Sequence, residues 1–186
     1  MLRYILFVVL FYSYPSLSNA QTGNIQSFIP RGYSLLDSAS GDLDKDALRD
    51  VVMVLKLNEE SHPDSFDVPR PLLLLKGAGN DTYRLIARND HVVLCFRCGG
   101  VFGDPFEGIT IRNGFFSVEH YGGSNWRWTR IITFKYDKPS KTFVLHRDAG
   151  VSFHSSVPDK EETVLHKRSD FGKLKFGAYY NQTDLP

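Results

Sequence analysis

Four aspartates, Asp42, Asp44, Asp46 and Asp50, stand in nine residues directly ahead of the apolar run Val51-Val52-Met53-Val54-Leu55. Side chains at alternate positions of a short loop can turn inward together, and calcium takes roughly six to eight oxygen ligands. With the Leu48 carbonyl as a backbone oxygen, Asp42, Asp44, Asp46, Leu48 and Asp50 form a candidate calcium ligand set. An EF-hand does not fit. Met53 stands where its bidentate glutamate belongs, and a strand rather than a helix follows. Without a cation the four carboxylates repel one another, and Lys45 and Arg49 offset only part of that. The competing reading is a solvated acidic turn that holds nothing tightly.

Cys95-Phe96-Arg97-Cys98 is a C-x-x-C pair, which in an oxidising compartment closes a tight turn as a disulfide. A thioredoxin-like role wants the first cysteine at a helix N-terminus, and Gly99-Gly100 breaks helices. A zinc site needs two further ligands, for which His91 and His120 are nearest in order. The stretch Gly99–Gly108 is glycine-rich but lacks the Lys-Ser/Thr of a phosphate loop. Asp104, Glu107 and His120 are acid/base types, so a cell-envelope hydrolase is the alternative function. No nucleophile elbow or H-E-x-x-H accompanies them. Tyr121, Trp126 and Trp128 are a candidate surface for a glycan or an envelope protein, although aromatics on strands also build cores.

The elements that must position these residues read as strands. Tyr33–Leu36, Val51–Leu57, Leu72–Lys76 and Tyr83–Arg88 form one group, the last two joined by Gly77-Ala78-Gly79-Asn80-Asp81. The second group is Gly108–Arg112, Phe115–Tyr121, Trp128–Tyr136 and Thr142–His146. Asn113-Gly114 supplies a two-residue hairpin turn with positive φ. On Trp128–Tyr136 the even positions share a face, but Arg130 interrupts their apolar character and leaves the register open. The expected fold is all-β, an antiparallel meander in two groups of about four strands, stacked as a sandwich or set as neighbouring blades. Thr163–His166 and Leu174–Phe176 are expected to pair as a last hairpin.

The acidic segment resembles the calcium loop of integrin-type FG-GAP (VCBS) repeats, D-x-D-x-D-G-x-x-D running into a strand. Asp42, Asp44, Asp46 and Asp50 match it, and Ala47 replaces its glycine. A Cβ at that positive-φ position costs roughly 1–2 kcal/mol. The likeness covers one loop and is not repeated along the chain. A wider stretch, Gly99–Gly108 with His120-Tyr121-Gly122-Gly123-Ser124-Asn125-Trp126-Arg127-Trp128, is similar to a family of uncharacterised exported bacterial proteins. That family brings no established activity.

Residues 1–20 read as a signal peptide: Arg3, a short apolar core from Ile5 to Tyr12, then Ser18-Asn19-Ala20. The apolar run is shorter than the roughly 20 residues of a membrane span. The expected mature form is exported, periplasmic or secreted, without a membrane span. Residues 21–31 read as a leader, 32–149 as the β-rich domain and 150–186 as a C-terminal extension. The net charge of +1 comes from interspersed acids and bases, which argues against a nucleic-acid or anionic-membrane partner. The expected function is a non-enzymatic binding or structural domain with one calcium loop.

Overall fold

Period-two alternation decides which face each strand buries, and here it assembles two five-stranded antiparallel sheets. The structure is a computed structural model that describes residues 22–62 and 68–180. The predicted signal peptide and the end of the chain from Asn181 lie outside the described residues. The first sheet contains β1 (Thr22–Gly23), β2 (Tyr33–Gly41), β3 (Asp50–Leu57), β4 (Arg70–Gly79) and β5 (Thr82–Val93). Its spatial order is β1-β5-β4-β3-β2. The second contains β6 (Phe106–Arg112), β7 (Phe115–Gly123), β8 (Trp126–Asp137), β9 (Thr142–His154) and β10 (Val157–Lys167), in meander order. The Asn113-Gly114 turn has positive φ at both residues, as its chemistry requires. Asn80-Asp81 turns between β4 and β5 in the same way.

Inner faces of both sheets meet in one core. Val52 and Val54 of β3 with Leu72 and Leu74 of β4 oppose Phe116, Val118, Ile132, Phe134, Phe143 and Leu145. The second face of the first sheet is buried as well. Val51, Met53, Leu55, Leu73 and Leu75 pack under Phe28, Ile25 and Ile29. The stretch read as a leader therefore covers a sheet, and its 3-10 turn (Ile25–Phe28) is capped by the Asn24 carboxamide accepting from Ser27 N–H. This explains why β3 and β4 read as unbroken apolar runs instead of alternating.

The hairpin expected between Thr163–His166 and Leu174–Phe176 is not formed. Thr163–His166 belongs to β10 and pairs with Val151–Asp148 of β9, which is longer than its sequence signal. β9 thus runs across the 149/150 boundary. After a short helical turn (Arg168–Phe171), Lys175 makes a single bridge to Val144, and Phe176, 1% exposed, enters the core. Phe176 lies edge-on to Phe116 and Phe134. Asn89 of β5 fastens this strap by donating to Phe176 O at 2.6 Å and Tyr179 O at 2.8 Å. Asn89→Ala leaves the buried Tyr179 carbonyl unsatisfied and Phe176 O with only the Tyr179 N–H, and should cost about 1–3 kcal/mol. A urea midpoint that falls with the m-value unchanged is the expected measurement, and an unmoved midpoint contradicts the role.

Candidate metal centre

The acidic loop is the turn of the β2–β3 hairpin, closed by the Gly41–Asp50 pair. Leu43, 3% exposed, drops into the core and holds the loop against the sheet. Asp42 then wraps the backbone, its Oδ1 accepting from Asp46 N–H at 3.1 Å and its Oδ2 from Ala47 N–H at 3.0 Å. Lys45 and Ala47 adopt positive φ, 64° and 68°. Ala47 therefore stands in the left-handed conformation where the resembling motif has glycine. Asp46 Oδ1 accepts from Leu48 N–H at 2.9 Å. Asp50, 3% exposed, accepts from Leu43 N–H and from Gly77 N–H of β4, each at 3.0 Å. One carboxylate thereby joins the loop, β3 and β4.

Asp42, Asp44 and Asp50 each present an oxygen within 4.8 Å of the others, an acidic triad that could hold a metal ion. Asp46 lies outside that triad, bound to Leu48 N–H and to Lys76. Lys76 was not foreseen from sequence. Its ammonium reaches from β4 to Asp44 and lies 2.9 Å from Asp46. The hydrogen bond to Asp44, then that to Asp46, holds the Lys76 ammonium above its ordinary pKa. The hydrogen bond from Lys76 holds Asp46 below the usual carboxylate value, whereas burial pushes Asp50 up. Asp44 Oδ1 is buried without any hydrogen-bond partner. A carboxylate so placed has unused capacity for a cation.

The remaining sequence candidates are dispersed. Cys95 and Cys98 form a disulfide, so neither is free for zinc. Asp104 binds the fully buried Arg70 at 2.7 and 2.8 Å, and Glu60 grips the same guanidinium at 2.8 and 2.9 Å. Glu107 is exposed. His120, 2% exposed, faces the inter-sheet core beside Phe106 and cannot be reached from the surface. Tyr121 and Trp128 fall on opposite faces, since Tyr121 pairs with Thr129 and Trp128 with Gly122. Trp126 is 42% exposed and edge-on to His154, while Tyr121 leans on Phe102. Arg127 lies over Phe102 at 5.3 Å. A Cβ at Gly122 would approach the Trp128 ring to 2.6 Å, which is why that position is glycine.

No family model, curated protein or solved structure matches this chain. The reading of the site therefore rests on its own geometry. Among the described residues, no helix is long and apolar enough to cross a membrane.

His120 lies between two buried arginines. Burial, then the charges of Arg130 and Arg70, lowers its pKa to about 3. Its Nε2 accepts from Leu94 N–H at 3.3 Å, so the fold requires the neutral ring. The unfolded chain takes up this proton near pH 6.5 and the folded one only near 3. Stability from His120 is thus present above pH 6.5 and is lost as pH falls toward 3, at up to about 1.4 kcal/mol per pH unit. His120→Gln keeps an acceptor but does not titrate. Denaturant titrations from pH 7 to 4 should show a shallower loss in that variant, and equal slopes would contradict this assignment.

Proposed function

We propose that this chain is an exported, non-enzymatic binding or structural domain whose acidic loop takes calcium. The observation that carries the reading is Asp44 Oδ1, a buried carboxylate oxygen without a partner beside the oxygens of Asp42 and Asp50. Oxygen-only donors on a short loop suit a hard cation, and calcium tolerates the irregular geometry such loops offer. Asp42, Asp44 and Asp50 would hold the ion, with Asp46 and the Leu48 carbonyl as the further oxygens read from sequence. Lys76 supplies the positive charge in the ion's absence and gives way to it. The strained Ala47 weakens the site relative to a glycine loop. The ion's role is structural, because Asp50 ties the loop to Gly77 of β4 and so fixes the start of a core strand. The disulfide Cys95–Cys98 and the signal-like N-terminus support an oxidising, exported setting.

Calcium at about a hundredfold excess over its Kd should stabilise by about 2.7 kcal/mol, raising Tm by roughly 5–10 °C. Asp44→Asn should abolish that rise. Lys76→Met should lower Tm in chelator yet tighten calcium binding, because the competing ammonium is gone. Thermal scans in chelator and in millimolar calcium check all three. A wild-type Tm indifferent to calcium overturns the proposal.

A further inference from the structure

We infer that the cleft between the acidic loop and the Asn113-Gly114 turn is a binding site for an acidic oligosaccharide. Two adjoining concavities, about 580 and 290 Å³, share Lys45, Asn113 and Gly114 as their common wall. Arg112 lines the first, and Lys135 and Lys138 line the second. None of these four cationic side chains takes part in an ion pair among the described residues. The acid at the end of β8, Asp137, is already bound to Lys173 at 2.6 Å. In a chain of net charge +1, four unpaired cations against Asp42 and the Lys76-paired Asp44 in the same lining leave a local positive excess that an anionic ligand would neutralise.

The cleft's form favours a short, charged sugar chain. Phe115 and Tyr136, both half-buried, line the second concavity from opposite faces of the sheet, Phe115 on the face of Lys135. Asn113 adds amide donors and an acceptor suited to hydroxyl groups. His146 lies tilted against Phe115 at 4.9 Å on the same side as Lys135. Burial, then Lys135 and Arg147, holds its pKa below the ordinary value. Asp42 and Asp44 also line the two concavities, so the cations that would meet an anionic ligand are Arg112, Lys135 and Lys138 of the second sheet's side, with Lys45 on the common wall.

The test is a calorimetric titration of the full mature chain with a galacturonate trisaccharide, a sulfated trisaccharide and a neutral galactose trisaccharide. Saturable binding of either acidic sugar without the neutral one is expected. Lys135→Gln/Lys138→Gln should weaken it about tenfold or more, as should Arg112→Gln on the facing hairpin. Unchanged circular dichroism and Tm confirm that the variants are folded. The inference is overturned by equal binding of the neutral sugar, by tighter binding of single-stranded DNA, by absence of binding, or by folded variants with unaltered affinity. The titrations are run in calcium and in chelator. Binding retained in chelator but lost in the variants upholds the cleft independently of the ion site.

Discussion

Strands β3 and β4 are apolar on both faces, and the rest of the molecule is arranged to cover them. Val52, Val54, Leu72 and Leu74 need the second sheet on one side. Val51, Met53, Leu55, Leu73 and Leu75 need the segment around Phe28 on the other. Each such side chain is worth roughly 1.5–3 kcal/mol when removed from water, so these two strands supply a large share of the drive to fold. Their registration then matters more than that of any other pair. Asp50 contributes directly to it, because its carboxylate accepts from both the loop and β4. The acidic loop is therefore part of the apparatus that places the central strands, whatever else it does.

The opposite end of the inter-sheet space is polar and solves a different problem. Arg70 is gripped by Glu60 and Asp104, and Arg130 is held by Asp148 at 2.8 and 2.7 Å with Tyr179 alongside. Both guanidiniums are buried, and removing one partner would leave an uncompensated charge. Such networks define register more sharply than apolar contacts do, since only one pairing satisfies every donor. His120 sits near both as a buried neutral ring, and Asp104 serves as an ion-pair partner of Arg70.

Much of this was legible in the sequence, and what was not has physical reasons. The all-β character and the two strand groups followed from alternation and from turn residues such as Asn113-Gly114. The strap from Phe171 to Tyr180 did not, because it is held by Asn89, some ninety positions away, and by a single strand bridge. Arg130 broke the pattern on β8 for a reason only tertiary structure supplies, namely Asp148 across the sheet. In the acidic loop the spacing of Asp42, Asp44 and Asp50 was visible, whereas Lys76 was not. Its role depends on β4 lying beside β3, and no local spacing encodes that. Ala47 adopts positive φ, 68°, in that loop.

A divalent ion held by the acidic triad would compete with Lys76 for Asp44. The ammonium neutralises Asp44 and Asp46 but leaves Asp44 Oδ1 unsatisfied. A divalent ion among Asp42, Asp44 and Asp50 would use that oxygen and release the lysine. The most direct measurement is a crystal structure of the protein grown in calcium, with anomalous scattering to identify the ion. One calcium coordinated by Asp42, Asp44 and Asp50 is expected, with the Lys76 ammonium out of hydrogen-bonding reach of Asp44. Lys76 still bound to Asp44, with no anomalous peak in the loop, would contradict it.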